Sequence, residues 1–122
     1  MKLLHNNKYI EELFKDLCDL SKTKKAMQSI VSMDILRSIK RKLDQLLASP
    51  NFYFVISKHI GKCEPLVGNM KGKYSIYISA NYRLIISPNT SDLSNNSLMK
   101  CEEFYIEGVV DYHGTKQTWI IP

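Results

Sequence analysis

The sequence predicts an α+β domain, in which an N-terminal helical hairpin covers one face of a twisted antiparallel sheet of about three to five strands. Three observations carry this reading. Apolar residues recur at helical spacing in the first part of the chain. Residues 71–86 then alternate with period two, the mark of a β-hairpin. All the helical patterns precede the strand patterns, so there is no βαβ alternation and no reason to expect a parallel doubly wound sheet.

The elements follow in order. Residues 1–4 are expected as a short edge strand. Ile10, Leu13, Phe14, Leu17 and Cys18 lie on one helical stripe behind Asn7, a suitable N-cap, which gives a first helix over about 8–20. A basic link, 21–25, leads to a second stripe of Met27, Ile30, Val31, Ile35, Ile39, Leu43, Leu46 and Leu47. Ser32 and Asp34 interrupt this stripe, but one long helix ending before Pro50 is favoured. Residues 51–60 are an apolar connector, read as a turn of helix or a packing strand. The hairpin comes next: Tyr74, Ile76 and Ile78 alternate with Ser75, Tyr77 and Ser79, and Tyr82, Leu84 and Ile86 alternate with Arg83 and Ile85. Residues 87–101, rich in Ser and Asn, read as a long mobile loop. Residues 104–113 form a third strand, with Tyr112 on the parity of Phe104 and Ile106. The tail, 115–122, packs Trp119, Ile120 and Ile121 onto something. The other sheet face is expected to be partly open, with Arg83 on it and Ser75 or Tyr77 nearby.

At 122 residues this is one domain, 1–122, with a core over about 8–114. No apolar run approaches the ~20 residues of a membrane helix, and the first residues lack the apolar centre of a secretory signal. Cys18, Cys63 and Cys101 are far apart and form no Cys-x-x-Cys pair, which favours reduced thiols in a cytoplasmic protein. His5, His59 and His113 show no metal-ligand spacing, and no metal or cofactor is expected. The net charge of +5 suits a polyanionic partner such as nucleic acid, or equally an acidic protein. Arg37, Lys40, Arg41 and Lys42 on the second helix are either a solvated face or part of such a surface.

Three blocks carry a resemblance. They are Glu64-Pro-Leu-Val-Gly-Asn-Met-Lys-Gly-Lys-Tyr-Ser-Ile, Asn81-Tyr-Arg-Leu-Ile-Ile, and Val109-Val-Asp-Tyr-His-Gly. In this order they resemble the RelE/ParE superfamily of bacterial toxins, most of all its HigB branch, over about residues 10–114. The resemblance implies a toxin of a type II toxin–antitoxin pair. It implies a metal-independent endoribonuclease that cuts translated mRNA in the A site of the 70S ribosome. It also implies a cognate antitoxin protein, a HigA-like DNA-binding repressor. ParE-type relatives inhibit DNA gyrase instead.

Metal-free RNA cleavage needs a base for the 2′-hydroxyl, charge stabilisation at the phosphate and a proton for the leaving oxygen. Arg83 suits the phosphate, which a guanidinium can grip through two hydrogen bonds, with Lys71 and Lys73 assisting. Arg83 could instead pair with Asp111. His113 can act as acid or base near neutral pH, oriented by Asp111. Tyr112 could stack on a base, provided a bulge or the strand end frees it from the core. Glu64 stands where HigB-like toxins commonly carry His, Asn69 replaces a usual Asp, and Val67 replaces a frequent Lys. Glu64 would then be the general base with His113 as acid, or activity would be weakened. His59 reads as an ordinary loop histidine. Two alternatives stay open: a ParE-like gyrase inhibitor, and a catalytically diverged antitoxin-binding partner.

Overall fold

The computed structural model describes residues 1–5, 7–17, 31–113 and 116–121, with backbone alone at 13, 15–17, 113 and 116. The alternation read in the hairpin builds the centre of a sheet. β3 (Tyr74–Tyr77) and β4 (Tyr82–Pro88) pair antiparallel, Tyr74 opposite Ile86 and Ile76 opposite Leu84. All four of these side chains are buried. On the other edge of β4 lies β5 (Glu103–His113), long enough to serve two further partners on its far side. Residues 103–105 pair in parallel with β1 (Lys2–Leu4), and residues 109–113 pair antiparallel with β6 (Lys116–Ile121). β2 (Glu64–Pro65) closes the opposite edge against β3. The six strands run β1-β5-β4-β3-β2, with β6 on β5. This exceeds the expected three to five because most of the segment read as a tail is a strand. Its Thr118, Trp119, Ile120 and Ile121 are good strand formers, and they satisfy an edge of β5 that would otherwise be open.

α1 (Lys8–Leu17) starts where predicted, with Asn7 Oδ1 accepting from Tyr9 N at 2.8 Å. It packs on β5 and buries Ile10 and Phe14. The single long second helix is not found. α2 (Met33–Ala48) begins after Ser32, whose backbone is extended and whose Oγ accepts from Ile35 N at 3.3 Å. The serine therefore starts a helix rather than merely interrupting one. Leu36, Ile39, Leu43 and Leu46 of α2 are buried in one cluster with Ile76, Leu84 and Val109 of the sheet. Cys18, the last predicted turn of helix one (18–20), the basic link 21–25, Met27 and Ile30 lie outside the described residues. So does the connection that would make α1 and α2 a hairpin.

The 51–60 connector holds α3 (Phe52–Ser57), capped by Asn51. Phe52 meets the Tyr74 ring edge-on at 5.0 Å between centroids. Residues 87–101 are not loop throughout. β4 runs to Pro88, and α4 (Asn95–Met99) buries Leu98. Cys101 is also buried, and its carbonyl accepts from Phe52 N at 2.9 Å. These apolar residues, spaced through a polar stretch, anchor it to α3.

One irregularity decides which side chains reach the outer face. Ile85 pairs with Gly108, but Ile86 pairs with Ile106, leaving Glu107 as an extra residue in β5. Gly108 has φ +149, and a Cβ there would collide with the Ile121 carbonyl. Past this bulge the parity of β5 reverses. Phe104 and Ile106 are opposite Pro88 and Ile86 on the inner face, and so are Val109 and Asp111, opposite Leu84 and Tyr82. Val110, opposite Arg83, is turned outward, and with it Tyr112.

Candidate functional site

The outer face of the sheet is organised around Arg83. Strand alternation puts it opposite Tyr77 of β3 and Val110 of β5. Its guanidinium carbon lies 4.6 Å from the Tyr77 ring centroid and 5.5 Å from that of Tyr112. Nη1 donates to the Ser79 carbonyl at 2.6 Å and the Tyr82 carbonyl at 3.0 Å. One edge of the fork is thus anchored to the turn after β3. A guanidinium has five N–H donors, and no carboxylate pairs with this one among the described residues. The alternative Arg83–Asp111 pairing is therefore not found. The two residues lie on opposite faces, because Asp111 faces Tyr82 in register.

Sequence reasoning missed Lys62. Its ammonium sits 4.6 Å from the Tyr77 ring centroid, the same ring that carries Arg83. The backbone that brings it there is unusual: His59, Gly61 and Lys62 all have positive φ, at 51°, 58° and 52°. Two non-glycine residues in the left-handed region each cost about 1 kcal/mol or more, which the surrounding packing must hold. Gly61 permits the turn, since a Cβ there would strike Ile76. The only sequence signal was Gly61 beside a lysine, which does not reveal where the lysine points.

The other expected residues are distributed around this centre. Glu64 pairs with Ser75 and is exposed on the outer side of the β2 edge. With His59, Lys62, Cys63, Ile56 and Pro65 it lines a groove of about 480 Å³. Burial, and then the charge of Glu64, pushes the Cys63 thiol up to about 12. Burial likewise raises the Tyr74 hydroxyl, with Cys63 adding to the effect. Lys73 lies 3.9 Å from Glu107, which accepts from Ser87 Oγ at 2.7 Å, so this lysine is partly neutralised. Lys71 is exposed, and so is Val67. The backbone of His113 pairs with Lys116 at the end of β5, and its side chain lies outside the described residues. The basic stripe of α2 is partly satisfied within the helix, through Arg37–Asp34 at 3.1 Å and Lys40–Asp44 at 2.7 Å. Among the described residues no helix is long and apolar enough to cross a membrane.

The fold has a known counterpart. A YoeB/ParE toxin from Agrobacterium tumefaciens superposes on this chain with a TM-score of 0.53, covering 93% of this chain and 100% of that one at 16% identity. The likeness is one of fold. No protein-family model matches the sequence, and no curated protein sequence matches it.

Proposed function

We propose that the chain is the toxin of a type II toxin–antitoxin system, a HigB-like member of the RelE/ParE superfamily that cuts mRNA in the ribosomal A site without a metal. The fold shared with a YoeB/ParE toxin supports the toxin part of this reading. The observation that carries the nuclease part is Arg83 held between Tyr77 and Tyr112 on the outer face, with Lys62 on the same Tyr77 ring. Two cations gathered on aromatic rings, away from any described carboxylate partner, suit the extra charge that develops on a phosphate under attack. Because the Arg83 fork is anchored through Nη1, its other donors are pre-aimed rather than mobile. Tyr112, freed by the bulge, offers a ring for a neighbouring base. Glu64 is assigned as the base for the 2′-hydroxyl and His113 as the acid for the leaving oxygen, with Asp111 beside it in sequence. Lys71 and Lys73 guide the strand. A cognate antitoxin, HigA-like and DNA-binding, would cover the basic face with an acidic segment.

The test is to induce the wild type, Arg83→Ala and His113→Ala in a bacterial host and map mRNA 5′ ends over minutes. New cuts inside translated codons are expected for the wild type. Arg83→Ala should cut about 100-fold less or worse, as when one preorganised transition-state donor is removed. Arg83→Lys should not restore it, since an ammonium cannot reproduce the fork. Growth arrest without cuts would end the nuclease reading and direct attention to gyrase. No arrest from folded protein would favour a diverged antitoxin-binding partner.

A further inference from the structure

A second groove lies on the same sheet face as Arg83. The register makes one row across four strands: Tyr77 faces Arg83, Arg83 faces Val110, and Val110 faces Trp119 of β6. Residues directly opposite share a face, so Trp119 is on the outer side, two strands from Arg83, or about 10 Å. It is 40% exposed, a large aromatic left open to solvent. With Asn69, Met70, Lys73 and Glu107 it lines a groove of about 450 Å³. Trp119 leans over the bulge, for a Cβ on Gly108 would come within 3.0 Å of its Cζ3. The glycine is what lets the indole lie low across the sheet.

We infer that this groove is a nucleobase subsite, in which Trp119 stacks the base of a nucleotide flanking the phosphate held at Arg83. The inference rests on the nuclease reading above and adds a specificity element to it. A flat apolar ring with polar groups at its rim is the chemistry of base recognition: the ring takes the π-face of any base, and the rim reads its edge. Glu107 is the fixed acceptor at this rim, held by Ser87 Oγ at 2.7 Å with Lys73 at 3.9 Å. A carboxylate accepts from an exocyclic amine, which guanine, adenine and cytosine carry and uracil lacks, so the subsite disfavours uracil. The row keeps this groove and the Arg83 centre on one face, with Val110 buried between them, so one extended strand can pass over it from one to the other. The surrounding charge suits it: Lys73 lines the groove, Arg83 stands at the other end of the path, and Lys62 lies beyond it on Tyr77.

The experiment maps mRNA 5′ ends for the wild type, Trp119→Leu, Trp119→Tyr and Arg83→Ala. Wild-type cuts are expected to be depleted of uracil at one fixed position beside the cut. Trp119→Leu should reduce cutting roughly tenfold and flatten that preference, whereas Trp119→Tyr, which still stacks, should keep most of both. Arg83→Ala should cut about 100-fold less or worse, as above. A Trp119→Leu protein that melts like the wild type and cuts with unchanged rate and preference overturns the subsite while leaving the nuclease reading intact. No cuts from the wild type overturns the nuclease reading, and the subsite with it. Should Trp119→Leu fail to fold, the wild type itself decides, because Trp119 is the single tryptophan of the chain. Its emission should be quenched by a 2′-O-methyl oligonucleotide whose binding is followed separately by anisotropy. Binding without any change in emission overturns the subsite.

Discussion

Cys63 shows how position silences a reactive group. It is buried beside Glu64, and its thiol is pushed up to about 12 from an ordinary 9.0. Only the thiolate is a nucleophile, so native Cys63 should resist iodoacetamide at pH 8 and react once urea unfolds the chain, as mass spectrometry of the labelled peptide can show. The same shift has a sign for stability. The folded state keeps the proton that the unfolded state releases, so this contribution is complete below about pH 9 and is lost as pH rises toward about 12. Individual site residues were unequally legible in the sequence. Arg83 could be assigned to the outer face with Tyr77 because both assignments rest on simple alternation. Lys62 could not be, because its place on Tyr77 depends on three left-handed residues, one of them a glycine packed too close to Ile76 to carry a side chain.

At the scale of elements, β5 is the informative one. Its apolar pattern announced a strand, yet the parity read from that pattern placed Tyr112 with Phe104 and Ile106. The extra residue at Glu107 reverses this and delivers Tyr112 to the Arg83 face. A glycine inside a strand pattern is a known mark of a bulge, so Gly108 was the available signal. Gly108→Ala should be costly, because φ is +149 and the new methyl would strike the Ile121 carbonyl and crowd Trp119. A loss of about 3 kcal/mol or more is expected, read as a lower urea midpoint. α2 teaches the complementary lesson. Ser32 was visible as an interruption of the apolar stripe, and its capping hydrogen bond to Ile35 N explains why the helix begins there.

At the scale of the molecule, the +5 net charge matters through its distribution. Arg37 and Lys40 are paired along α2, whereas Arg83 and Lys62 share an aromatic ring on the sheet. Binding of a non-cleavable oligonucleotide should therefore weaken steeply with salt, and the slope should identify the face. Each phosphate contact to a single strand contributes about −0.7 to the slope of log affinity against log salt. Lys62→Ala and Arg83→Ala should each make the slope shallower by about that amount, while Arg37→Ala should leave it unchanged, as measured by anisotropy at several KCl concentrations.

The sequence by itself determined the α+β class, the two hairpin strands and the alternation of their side chains, the first helix with its Asn7 cap, and the outward place of Arg83. Each follows from the periodicity of neighbouring residues, and local backbone geometry converts periodicity directly into faces. Tertiary structure alone decided that β5 serves β4, β1 and β6 together, that the segment after His113 returns as a strand, and that Lys62 reaches Tyr77. It also decided that Tyr112 turns outward. These features depend on which strand lies opposite, on one extra residue in a pairing, and on a strained turn held by contacts distant in the chain. No pattern of neighbours encodes them, because their energies arise between segments that meet only when the sheet closes around them.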